Sequence, residues 1–194
     1  MKPARALVVI AAVGGPAFTL AWVVLGLLAP GYDHRADTIS ALSAVGASTA
    51  VPMLAAFALQ GFGQLALAAV AARLRLPWVA VSLVVAGTGT LLAGAIRLPD
   101  DGPSAAATAH ALAAVAAFGG LHLAVLAGSL AGSLPRGLRL GALVALVVAL
   151  PHTASFVLQL GDPGPWLGYA EKAFTTVLLV WTTALALGAR SLAR

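Results

Sequence analysis

Six long apolar runs constrain this chain more than any other feature. They lie at about 6–29, 50–72, 77–97, 105–130, 138–159 and 168–189, each rich in Ala, Leu and Val. A bilayer core takes about 20 helical residues to cross, so every run is long enough. Backbone groups in hydrocarbon must be satisfied within their own segment, which makes the runs helices. Breakers separate them: Pro30-Gly31, Pro77, Pro99, Gly102-Pro103, Pro135 and Pro163-Gly164-Pro165. The chain is 61% hydrophobic and 9% charged, whereas a soluble domain is about 45–50% apolar and about a quarter charged. The fold class is therefore all-α: a polytopic membrane bundle of six transmembrane helices, one domain over residues 1–194 with no internal repeat.

The first run follows Lys2 and Arg5, as a signal peptide would. It is longer than the roughly 7–15 residues of a secretory apolar region, and cleavage after Ala29 would put Leu27 where a small residue is wanted. An uncleaved first span is the expectation. With the N-terminus inside, Lys2, Arg5, Arg73, Arg75, Arg136, Arg139, Arg190 and Arg194 lie on the inner face, eight of eleven bases. Arg35, Arg97 and Lys172 lie outside, with all six acids. The positive-inside rule then places both termini in the cytoplasm of a protein of the cell membrane. The net charge of +5 falls in short clusters between spans, a topology signal and not a nucleic-acid stripe. With no cysteine, disulfides and thiolate metal sites are excluded.

Small residues indicate how the spans approach one another. Gly87, Thr90 and Gly94 share a face of the third span, Gly61 and Gly63 interrupt the second, and Gly119-Gly120 the fourth. In lipid, close van der Waals contact between small residues drives helix association. Gln60 and Gln64, one turn apart, read as interhelical hydrogen-bond donors.

The polar residues concentrate in one place. Gly31 to Ser43, between the first two spans, holds Tyr32, Asp33, His34, Arg35, Asp37, Thr38, Ser40 and Ser43. This is expected to be a polar first outer loop with a short interfacial helix from Thr38, capped by Asp37 or Thr38. Arg97, Asp100, His110, His152, Glu171 and Lys172 fall at the same face. His152, Ser155 and Gln159 share one stripe of the fifth span. Polar groups in spans normally face the bundle interior or a wet cavity. The candidate outer pocket is thus Tyr32, Asp33, Asp37, Ser40, Arg97, Asp100, His110, His152, Glu171 and Lys172, ringed by spans three to six and capped by the loop. Plainer readings stand beside it: a solvated loop, bases snorkelling to the interface, structural histidines, His122 among them, and a Glu171 paired with Lys172, Arg97 or Arg35.

No HExxH or other zinc spacing supports a metal centre, and none is assigned. A serine hydrolase would draw on Ser40, His110 or His152, and Asp37, but no GxSxG elbow is present. P-loop, GxGxxG and CxxC motifs are missing, and no cofactor is implied.

The segment from Tyr32 through Asp37-Thr38-Ile39-Ser40-Ala41-Leu42 resembles the signature of a prokaryotic membrane family, domain of unknown function 998. Leu98-Pro99-Asp100-Asp101 with His110 is similar to its second motif. Gly168-Tyr169-Ala170-Glu171-Lys172 is similar to the Gly-x-x-Glu-Arg opening of its last span, with Lys for Arg. The resemblance implies six spans and leaves the activity open.

The functional reading is a membrane protein whose outward-facing polar pocket binds a lipid headgroup or amphiphile, with membrane lipids as partners and no nucleic acid. The alternative is an intramembrane hydrolase or transferase acting on a lipid-linked substrate. A scaffold for a partner protein and a structural charge network that ties the loop to spans three and six fit the same residues. A transporter lacks the midplane carboxylate it would need.

Overall fold

A computed structural model describes residues 5–99 and 104–192. The candidate Asp100, with Asp101, lies outside the described residues. Six α-helices occur among the described residues: α1 (Arg5–Leu28), α2 (Ala50–Arg73), α3 (Pro77–Ala95), α4 (Ala105–Leu130), α5 (Arg136–Gln159) and α6 (Leu167–Leu192). All six are long and apolar enough to cross a membrane. No strand occurs among the described residues.

Local chemistry sets the helix ends. Pro77 occupies the first turn of α3, where its missing N–H costs nothing. Ser104 caps α4, its hydroxyl accepting from the Ala107 N–H. Many large apolar side chains point outward, among them Leu158, Val51, Trp78, Leu27 and Leu130, each more than 70% exposed. That exterior requires a hydrocarbon solvent.

The helices close a ring in chain order, each packing on the next and α6 returning to α1. Backbone approaches hold the ring together. A Cβ on Gly120 of α4 would sit 2.5 Å from the Ala86 nitrogen of α3, and one on Gly89 equally close to the Ala117 nitrogen. Gly61 and Gly87 meet across α2 and α3 in the same way, and Gly94 packs on Phe57, whereas Gly119 faces open space. On the far side, the Trp181 indole donates to the Leu138 carbonyl, joining α6 to α5.

The α1–α2 loop is folded into one end of this ring. Gly31 and Gly46, both with positive φ, bracket it. Between them Ile39–Ser43 forms a single 3₁₀ turn. Ile39 and Leu42 are 2% and 1% exposed, and the turn packs on α1, α2, α3 and α6. The short helix is therefore a plug in the bundle and does not lie along its surface. Thr38 stands at its N-cap but makes no side-chain cap bond. The cap comes from α6 instead, as described next.

Candidate functional site

The loop first folds on itself. Asp37 accepts from the Asp33 N–H at 2.7 Å, and Asp33 accepts from the Arg35 N–H at 2.8 Å. The Tyr32 hydroxyl donates to the carbonyls of Asp37 (3.2 Å) and Thr38 (3.0 Å). Burial, then the charges of Glu171 and Asp37, raise the Tyr32 phenol above its ordinary pKa, so it stays a donor.

The opening turns of α6 then clamp the loop. The Tyr169 N–H donates to the Arg35 carbonyl at 2.8 Å. The Lys172 ammonium donates to the carbonyls of His34, Asp37 and Gly168, under the ring faces of Tyr32 and Trp22 at 5.0 and 6.0 Å. Glu171 accepts the Ile39 N–H at 2.6 Å, capping the 3₁₀ turn from 132 residues away. Gly168 makes the approach possible, because a Cβ there would overlap the Asp37 backbone.

Two further ties come from α3 and α4. Arg97 donates to the carbonyls of Ser43 (3.3 Å) and Ala44 (2.9 Å). His110, 4% exposed, lies between the Ile96 carbonyl at Nδ1 (2.6 Å) and the Ser40 hydroxyl at Nε2 (3.0 Å). A carbonyl only accepts, so Nδ1 carries a proton, and in the neutral ring Nε2 accepts from Ser40. His122 is held apart from this site, between the Phe118 carbonyl and the Thr153 hydroxyl.

Glu171 is not ion-paired as expected. Among the described residues the one carboxylate–cation contact within 4.0 Å is Arg35–Asp33 at 3.9 Å, on the surface. Lys172 and Arg97 bind backbone carbonyls, and Asp37 turns its carboxylate into its own loop. The cations therefore hold a conformation of the main chain.

Two spaces flank the clamp. Beneath the plug lies a cavity lined by Ser40, Gln60, Gln64, Thr90, Glu171 and Thr175, closed by Phe18, Phe57 and Phe118. It is bounded by α1, α2, α3, α4 and α6 and not by spans three to six, since no α5 residue is part of its wall. Gln64 bonds across to Thr90 as an acceptor, at 2.9 Å.

The other space is a lateral groove of about 650 Å³. Its walls are Trp22, Val23 and Leu27 of α1 and Ala173 and Val177 of α6. His34, Arg35, His152, Tyr169 and Lys172 form its polar end. His152 packs edge-on to Tyr169 at 5.7 Å. The rest of its stripe closes the α5–α6 connector, with Gln159 bonding Ser155 and the Trp166 N–H. Burial, reinforced by Lys172 and opposed by Asp33, lowers the His34 imidazole below its ordinary pKa. Arg35 lies over the Trp166 ring at 5.4 Å and is 65% exposed.

Nine of the ten candidates thus divide, Asp100 lying outside the described residues. Tyr32, Asp33, Asp37, Glu171 and Lys172 form the clamp, Ser40 and His110 a dyad beside the cavity, and Arg97 a separate tie, while His152 joins the groove. Sequence reasoning placed His34 and Arg35 in the polar loop but left them off the candidate pocket, and it missed Trp22 as a groove residue and Thr175 as a cavity residue. Thr175 had a usable signal, standing one turn beyond Glu171 on the same face.

Six apolar helices around a loop-plugged polar centre define a multi-pass membrane protein. Residues 12–188 match a family described as protein of unknown function, DUF998. The chain belongs to that family. No curated protein and no solved structure matches it.

Proposed function

We propose that this is a cell-membrane protein whose lateral groove binds an anionic lipid headgroup, with the acyl chain lying between α1 and α6. The observation that carries the reading is the composition of the groove. In the most acid-rich part of the chain, no carboxylate lines the groove itself, and the Asp33 carboxylate meets Arg35 only at 3.9 Å, on the exposed surface. Its polar end offers Arg35, His152 and the Tyr169 hydroxyl, while Lys172 adds charge with its donors already committed to carbonyls. An exposed guanidinium suits a phosphate, which it grips with two parallel bonds. The apolar walls continue the lipid-facing surface, so a lipid enters sideways. The count of bases supports an outward-facing groove.

In nanodiscs of mixed phosphatidylglycerol and phosphatidylcholine, native mass spectrometry is expected to find the anionic lipid retained preferentially. Arg35→Glu is expected to lower that preference about tenfold or more, since a charge-assisted bond contributes about 1.5–3 kcal/mol. Equal retention of the two lipids by the unaltered protein would end the proposal.

One observation favours a second reading, an acyl hydrolase or transferase acting on a lipid-linked substrate. The Ser40–His110 pair has the tautomer that nucleophilic catalysis needs, with the Ile96 carbonyl in the orienting position. Ser40 Oγ would attack the acyl carbon, passing its proton through His110 Nε2 to the departing alcohol, and water would release the acid. Under this reading a fluorophosphonate probe labels the protein at Ser40, and His110→Gln suppresses the labelling. An unlabelled protein excludes it.

A further inference from the structure

The cavity under the plug contains polar atoms that the protein does not satisfy. Gln60 Oε1, Gln64 Nε2 and Thr175 Oγ1 are buried without a hydrogen-bond partner, on side chains 4%, 3% and 3% exposed. All three residues line the same cavity, together with Ser40, Thr90 and the Glu171 carboxylate. Buried polar atoms are nearly always paired, and an exception points to a water or an ion at the site. The space open to water centres is about 30 Å³. A water needs about 10–15 Å³, so there is room for two or three water-sized occupants.

Charge narrows the choice. Glu171 is 3% exposed, and no cation lies within 4.0 Å of it among the described residues. Lys172, next in sequence, acts on it only from a distance while its ammonium holds three carbonyls. A buried carboxylate needs a counter-charge or a proton. The groups facing it from the other elements are Tyr32 and Asp37 in the loop and, beyond Ser40, His110 on α4. Phe18 of α1, Phe57, Gln60 and Gln64 of α2 and Thr90 of α3 present no charge to the cavity. Hydroxyls and the free Gln60 amide oxygen complete the acceptor set, which suits a small hard cation, while the Gln64 NH2 is a donor and stays outside that set. One carboxylate is too few for a divalent ion, and no cluster of three His, Cys, Asp or Glu occurs among the described residues.

We infer that this cavity is a binding site for one small monovalent cation, held by Glu171, Ser40, Gln60 and Thr175 beneath the docked loop. Sodium and a proton carried by a trapped water share this chemistry. Because Glu171 also caps the plug, occupancy of the site and closure of the loop are coupled: the cation favours the docked state, and an empty site favours release.

The test is thermal unfolding of the full chain in nanodiscs, in sodium, potassium or N-methylglucamine chloride at equal ionic strength and at pH 5.5 and 8.5. If sodium is the occupant, it raises the melting temperature at pH 8.5 by roughly 3–6 °C over N-methylglucamine at about ten times its Kd. Thr175→Val then shifts the sodium titration to about tenfold higher concentration. If a proton is the occupant, the melting temperature falls between pH 5.5 and 8.5 in all three salts alike. In either case Glu171→Gln, which carries its own hydrogen, removes the response. Should that variant fail to fold, Thr175→Val still reads the sodium arm. The proton arm is then read on the unaltered protein, as a carboxylic-acid infrared band present at pH 5.5 and gone at pH 8.5. A protein that melts alike in every salt at both pH values overturns the inference, as does a response that Glu171→Gln leaves intact.

Discussion

Gly168→Ala is expected to unseat the plug, with a loss of roughly 3–5 kcal/mol. The added methyl would overlap the Asp37 main chain, which cannot move aside as a flexible side chain could. Relief requires the loop to lift from α6. Lifting breaks the Tyr169–Arg35 bond, the Glu171 cap on Ile39 and two of the three Lys172 bonds. The absence of native cysteine makes the readout clean. A Leu42→Cys reporter, at a position 1% exposed, should react slowly with maleimide in the parent and much faster beside Gly168→Ala. Equal labelling rates in the two backgrounds would show that the loop tolerates the methyl and that the close approach is incidental.

The second large effect is expected at Lys172. Lys172→Met strands the His34 carbonyl, leaves the Asp37 carbonyl to the Tyr32 hydroxyl alone, and takes the neighbouring positive charge from a buried carboxylate. Removing one partner from a buried charged arrangement costs about 3–5 kcal/mol. Lys172→Arg should cost less than half as much. It keeps the charge, but a planar fork serves two acceptors better than three that converge on one point. The ranking, wild type above Arg and Arg well above Met, is checked by melting temperature in nanodiscs. Coincident melting of the Met and Arg variants would mean that the clamp contributes only bulk. Since Gly168 and Lys172 act on the same loop, the double variant Gly168→Ala/Lys172→Met should lose far less than the two losses added together.

The fold was legible in the sequence for a simple reason. Hydrocarbon leaves a long apolar run one backbone solution, so six runs became six helices. The concentration of polar residues near Tyr32, Arg97, His110 and Glu171 was visible too, because any cluster stands out in a chain with so few charges. What those residues touch was not. Glu171 suggested an ion pair, because side-chain charges are what a sequence displays, yet its recorded partner is the N–H of Ile39. Lys172 and Arg97 likewise chose carbonyls, groups that every residue carries and no pattern marks. The ring order was hidden for a related reason. Alanine-rich faces look alike, and contacts such as Gly120 against Ala86 are decided by register.

The cap on Ile39 also has a consequence for biosynthesis. The loop emerges from the ribosome with the first span, but the carboxylate that closes it lies 132 residues downstream. At about 5–20 residues per second, the delay is on the order of ten seconds. Throughout that interval the N–H of Ile39 and the carbonyl of His34 are without their native partners, and the carbonyl of Asp37 lacks its Lys172 bond. Insertion of the sixth helix is therefore the step that seals the bundle, and a chain halted before it would keep five spans in the membrane with an open mouth. A protease or chaperone that tells finished copies from unfinished ones needs to probe nothing more than whether that mouth has shut.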